Sequence, residues 1–213
     1  VSWLDRIRHG PAEVTDRQDK EHGPSPPVER AAPGVAALFD GLREDGSHSI
    51  LDLGPAGEAH LRLYSTYARQ VRFADMITVP PQGEAWAAAV CGLPPHPHRP
   101  YDVVLAWNLL DRIWPEERRS LIERLAELTA PRARLYAVVD ASGAPTSQLH
   151  RFTLLDVDRL QEEVVGPAVR AHPPLLPAQV ERLLEPFEVV RAFTLRTGMR
   201  EYMAVKRSDE DEP

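Results

Sequence analysis

Two short apolar runs with abrupt ends set the limits on what this chain can fold into. Ser49-Ile50-Leu51-Asp52-Leu53 runs straight into Gly54-Pro55-Ala56-Gly57, and Tyr101-Asp102-Val103-Val104-Leu105-Ala106-Trp107 is longer still. Both are compact and almost unbroken by polar residues, so each reads as a strand buried on both faces. Strands of that kind belong to parallel sheets covered by helices on either side. The segments between them fit helices. Leu61, Tyr64 and Ala68 form one stripe, Gln82 to Val90 another, and Leu121, Ile122, Leu125 and Leu128 follow Pro115. Pro115 sits at a favoured first-turn position, with Glu116 and Glu117 near the positive end of the helix. Val71 to Asp75 alternates like a second strand, Arg134 to Asp140 reads as a further one, and Phe187 to Arg196 with Met199 to Lys206 form a closing hairpin about Thr197-Gly198. This order predicts an α/β fold: a Rossmann-like three-layer sandwich, its sheet mostly parallel with a C-terminal antiparallel hairpin.

Around this centre the pattern predicts further helices. One carries Val35, Leu38, Phe39 and Leu42 and is closed by Gly46; one carries Val157, Leu160 and Val164; one carries Val180, Leu183 and Leu184. Residues 1–29 are expected to be a flexible arm, in which Trp3, Leu4 and Ile7 form a single amphipathic turn ahead of a polar, proline-dotted stretch. The domain is expected over 30–207, followed by an acidic tail, 208–213. With 25 basic against 32 acidic residues the net charge is -7, which argues against a general nucleic-acid binder. No apolar run approaches the roughly 20 residues of a membrane span. No secretory signal is visible at the start, so a cytoplasmic location is expected. Cys91 is the one cysteine, and no Cys/His cluster has zinc-binding spacing, so no metal is expected.

The glycine turn is the first place where chemistry is expected. A strand that ends in glycines before a helix brings backbone N–H groups close to a ligand. Asp75 follows Gly54 by 21 residues, at the end of the second strand, where a carboxylate can accept from both hydroxyls of a ribose. The same residues also fit a plain strand–helix turn with a surface aspartate.

On these residues the chain resembles the class I S-adenosylmethionine-dependent methyltransferases. Their first motif is D-x-G-x-G-x-G; here it reads Asp52-Leu53-Gly54-Pro55-Ala56-Gly57-Glu58, with Ala56 at the second glycine position and Glu58 at the third. The ribose carboxylate maps to Asp75 in Phe73-Ala74-Asp75-Met76, and the fourth-strand motif to Tyr101 through Asn108. More narrowly, Leu51-Asp52-Leu53-Gly54-Pro55-Ala56, Leu105-Ala106-Trp107-Asn108-Leu109-Leu110 and Leu195 to Tyr202 look like a bacterial methyltransferase-like group. The resemblance implies S-adenosylmethionine as cofactor, held by Asp52, Gly54, Pro55, Ala56, Gly57, Asp75, Met76 and Trp107. It implies methyl transfer to a small molecule at the tip Trp107-Asn108-Leu109-Leu110-Asp111, with Asn108 and His60 beside the acceptor. The tip lacks the Asn/Asp-Pro-Pro-Tyr-like motif of DNA and protein amide methyltransferases, which argues against those acceptors. It also implies a third strand between Asp75 and Asp102, but Cys91 to Pro100 is proline-rich and shows none.

Two other functions fit the same fold. One is a relative without catalysis that serves as a binding or interaction module, which Ala56 and Glu58 favour. The other is a nicotinamide-cofactor oxidoreductase, which lacks its G-x-G-x-x-G here. His96 and His98 stand two apart but bring no further ligands. Cys91, Tyr64, Tyr67 and Trp86 read as packing residues.

Overall fold

The computed structural model describes residues 26–80, 82–95, 98–141, 146–147, 149–166, 169–170 and 175–208. Trp3, Leu4, Ile7, His96 and residues 209–213 of the tail lie outside the described residues.

The chain enters through strand β1 (Val28–Ala31) and helix α1 (Pro33–Phe39). The first apolar run is β2 (His48–Asp52), and the alternating units α2 (Glu58–Tyr67), β3 (Ala68–Phe73), α3 (Gly83–Cys91) and β4 (Tyr101–Leu105) follow it. A short helix α4 (Leu109–Arg112) and the long α5 (Pro115–Leu128) lead into β5 (Thr129–Asp140). The remaining elements are β6 (Thr146–Ser147), β7 (His150–Asp156), β8 (Arg159–Val164), β9 (Val169–Arg170), α6 (Pro177–Leu183), β10 (Phe187–Thr194) and β11 (Met199–Lys206).

The main sheet has six strands in the order β10-β11-β5-β4-β2-β3. β3, β2, β4 and β5 are parallel, whereas β11 runs antiparallel to both β5 and β10. This is the expected three-layer arrangement with its closing hairpin. The two apolar runs are buried for the expected reason. Ile50, Val103 and Leu105 face α1 and α2, while Leu51, Leu53 and Val104 face α3, α5 and α6. Successive side chains of a strand point to opposite faces, so a strand covered on both sides must be apolar throughout. Among the described residues no strand lies between β3 and β4, which leaves β3 at the sheet's edge. No helix among them is long and apolar enough to cross a membrane.

Four expectations are corrected. Val157, Leu160 and Val164 do not mark a helix: β7 and β8 pair antiparallel about Val157-Asp158. Phe152 and Leu154 are buried and Leu155 exposed, a two-residue period that outweighs the helical spacing of three distant apolar residues. The arm ends earlier than residue 29, because Val28 and Glu29 already pair with Glu162 and Gln161 of β8. The first helix stops at Phe39, short of Leu42 and Gly46, because Gly41 takes φ 70, a left-handed conformation that ends it. Cys91 is exposed rather than packed: the buried stripe of α3 is Trp86 and Val90, and the next position turns outward.

A smaller sheet, β1-β8-β7, packs against α2 through β7. Buried charges tie it to the main sheet. Arg30 of β1 contacts Glu201 of β11 and Glu162 of β8, each at 2.6 Å, and His150 Nδ1 lies 2.7 Å from Glu162. Glu201 has no solvent exposure, and its other oxygen accepts from the Gly34 N–H at 2.7 Å.

Candidate functional site

Strand order reverses at β2. The chain steps from β2 to β3 on one side, then crosses back to β4 on the other. Ligands of open α/β sheets bind at the carboxyl ends of the strands at such a point. The turn Gly54-Pro55-Ala56-Gly57 leaves β2 here, Asp75 follows β3, and Trp107 and Asn108 follow β4.

Asp52 ends β2 with no exposure at all. A carboxylate buried in an apolar run needs donors, and it has them. Its Oδ1 accepts from the Gly54 N–H at 2.8 Å and the Trp107 indole N–H at 2.5 Å, and its Oδ2 from the Tyr64 hydroxyl at 2.7 Å. His60 Nδ1 lies 3.3 Å from Oδ2. Burial, together with the charge of Asp52, pushes the Tyr64 phenol well above its ordinary range, so it remains a donor.

Trp107 takes φ 50, a backbone conformation rare for so bulky a residue. Its indole stacks between His60 (5.5 Å, 18°) and Phe152 of β7 (5.5 Å, 11°), with Tyr136 edge-on at 5.7 Å. The two glycines of the turn therefore differ. A Cβ on Gly54 would lie 2.9 Å from Trp107 Nε1 and 3.1 Å from Asp52 Oδ1, whereas a Cβ on Gly57 would meet nothing within 4 Å. Pro55 is half-buried and Ala56 exposed. Glu58 points away from the turn and pairs with Arg62 at 2.8 Å on the surface of α2.

Asp75 is half-buried. Its Oδ1 accepts from the N–H groups of Ile77 (3.0 Å) and Thr78 (3.3 Å). No hydrogen bond among the described residues engages its Oδ2. Arg112 donates to the Ile77 carbonyl at 2.7 Å; burial lowers the pKa of its guanidinium, and the charge of Asp75 partly restores it. Met76 packs into the core with Leu53 and Leu109, its N–H bound to the Leu53 carbonyl at 3.0 Å. Asn108 precedes α4 and is buried.

The structure thus gathers Asp52, Gly54, His60 and Trp107 into one buried cluster, with Asn108 adjoining. Asp75 and Met76 stand at the next strand end, and Pro55, Ala56 and Gly57 lie at the rim. Sequence reasoning missed Phe152, the donor role of Tyr64, and Arg112. It also left Asp111 without a role. That residue is buried in α4, accepts from the Asp140 N–H at 2.8 Å, and is pushed up to about 7 by desolvation. One signal was available for Tyr64: an aspartate inside an apolar strand demands donors, and Tyr64 stands on the next helix.

Known structures share this architecture. The Burkholderia thailandensis 1,6-didemethyltoxoflavin-N1-methyltransferase, solved with 1,6-didemethyltoxoflavin and S-adenosylhomocysteine, matches 83% of this chain and 77% of its own at 17% identity, with a TM-score of 0.51. The N-methyltransferase NodS of Bradyrhizobium japonicum matches 82% of this chain and 94% of its own at 10% identity and a TM-score of 0.48. CalS10, an amino pentose methyltransferase of Micromonospora echinaspora, matches 82% and 89% at 14% identity and a TM-score of 0.47. No family model and no curated protein matches the chain in sequence. At 17% identity the first of these likenesses shows the fold: this chain has the class I S-adenosylmethionine-dependent methyltransferase fold.

Proposed function

We propose that the strand ends at this reversal form a crevice that binds S-adenosylmethionine, and that the chain transfers its methyl group to a small molecule. The observation that carries the reading is Asp75, a half-buried carboxylate whose Oδ2 takes no hydrogen bond among the described residues, one strand from a glycine turn at the point where strand order reverses. The donor and acceptor set fits the group. Asp75 Oδ2 suits ribose hydroxyls and Gly57 leaves open space at the rim, while the Asp52 carboxylate already takes the Trp107 indole N–H at 2.5 Å. When bound, the cofactor would supply a methyl group on a sulfonium: the acceptor's lone pair would bond to that carbon as the carbon–sulfur bond breaks, and the electron pair would stay on the sulfur of the departing S-adenosylhomocysteine.

The chain's own contribution is positioning and the exclusion of water, so no general base is required. Asp75 anchors the nucleoside. Asn108 and His60 are 1% and 3% exposed, His60 stacked on the Trp107 indole and Asn108 next to it in the chain. A location in the cytoplasm and a small-molecule partner accord with this reading.

The test combines calorimetric titration of S-adenosylmethionine and S-adenosylhomocysteine with product formation on a panel of small phenols, amines and carboxylates. Asp75→Ala is expected to weaken binding at least about tenfold with the fold intact. Equal affinity of variant and parent refutes the seating on Asp75. A second reading, a binding module without catalysis, is favoured by one observation: the Trp107 indole fills the space over Gly54. Cofactor binding with no product across the panel selects it.

A further inference from the structure

We propose that Trp107 sets the ligand preference of the crevice: its indole N–H holds the carboxylate that a ligand's ammonium would otherwise take, so the crevice favours adenine nucleosides that carry no amino-acid arm. The inference rests on the nucleoside reading of Asp75 and deepens it.

The two carboxylates at the strand ends are in opposite states. Asp52 is wholly buried and already engaged by Gly54, Tyr64 and Trp107. Asp75 is half-buried, and among the described residues its Oδ2 takes no hydrogen bond. A ligand that uses only Asp75 and the open side of Gly57 finds its partners in place. Asp52 is wholly buried and its Oδ1 is held by the indole N–H, so a ligand's ammonium reaches that oxygen only by displacing the indole.

Moving the indole has a cost on every side. It gives up a charge-assisted bond of 2.5 Å and its stacking on His60 and Phe152. The left-handed backbone at Trp107 is a conformation kept only where the surroundings determine it, and here it directs the ring back over β2. His60 marks the same place as unfinished: both of its ring nitrogens are buried and lack a hydrogen-bond partner in good geometry. An ammonium that displaced the indole would gain Asp52 but would first have to undo this packing. The arm therefore adds no net affinity.

The experiment is calorimetric titration of the full chain with adenosine, 5′-methylthioadenosine and S-adenosylhomocysteine under identical conditions. The armless nucleosides are expected to bind at least as tightly as S-adenosylhomocysteine. Trp107→Phe keeps a ring in the stack and removes the N–H. It is expected to tighten S-adenosylhomocysteine by about tenfold and 5′-methylthioadenosine by less than about threefold. If S-adenosylhomocysteine binds the parent more than about tenfold tighter than 5′-methylthioadenosine, or if Trp107→Phe leaves their ratio unchanged, the role of Trp107 is refuted while the nucleoside site stands. If the folded parent binds none of the three, the nucleoside reading fails and this inference with it. The parent's own ratio decides should the variant not fold.

Discussion

Replacing Asp111 with asparagine is expected to stabilise the protein, by an amount that grows as pH rises from about 4 to about 7. The carboxyl is 5% exposed and desolvation lifts it from 3.8 to about 7; the charge of Asp140 adds to the rise, and the Asp140 N–H and Arg118 oppose it. A carboxyl raised in the folded state binds its proton more tightly there than in the unfolded chain. Its contribution to stability is intact below 3.8 and is lost as pH rises through about 7. The full difference amounts to about 4 kcal/mol at most. Relaxation around the ionised group reduces it, so a gain of about 2 kcal/mol is expected for Asp111→Asn near pH 8. The amide oxygen still accepts from the Asp140 N–H, which keeps the 2.8 Å contact between α4 and the end of β5. Urea denaturation at about pH 4.5, 6 and 8 reads the effect: a midpoint shift of roughly 1 M at the highest pH, about two thirds of it at pH 6 and about a quarter at the lowest. A gain that is the same at every pH, or a loss near pH 8, would refute the assignment of a strained, ionised Asp111.

Three further outcomes are expected. Gly54→Ala should destabilise by about 1–3 kcal/mol, because its methyl meets Trp107 and Asp52, while Gly57→Ala, at φ -144 with open space beside it, should stay within about 0.5 kcal/mol; thermal melts of the pair check this. Glu201→Ala strips Arg30 of one of its two carboxylates and leaves the Gly34 N–H without its acceptor, a loss of about 3 kcal/mol measurable by denaturant titration. A chain that starts at Pro27 should keep its cooperative transition, whereas one that starts at Ala32 loses β1 with the Arg30 contacts and should melt roughly 10 °C lower by calorimetry.

The parts of the fold that were legible in the sequence are those whose signal is local. β2 and β4 could be read because a strand covered on both faces must be apolar throughout, and because Gly54 stops the first of them. α5 could be read from Pro115 and its stripe of leucines. The β7–β8 hairpin could not, because Val157, Leu160 and Val164 satisfy a helical spacing, and Phe152 and Leu154 supply only two turns of the competing period. The site divides in the same way. Asp52, Gly54 and Asp75 announce themselves by position relative to strand ends. The cover over Gly54 comes from Trp107 and Phe152, which are 45 residues apart and meet only after β7 has folded over α2. No local pattern encodes that meeting.

The missing third strand also matters beyond the crevice. Among the described residues the sheet ends at β3, whose outer side pairs with no other strand. Such an edge is a template for a strand of a second molecule, and natural sheets defend it with charge. Here the defence is Arg69 and Arg72, both exposed on a six-residue strand. Like guanidinium groups repel an identical edge brought alongside. Arg69 and Arg72 take no part in the core, so an apolar replacement of Arg72 is expected to be felt first as aggregation, with the melting temperature hardly changed.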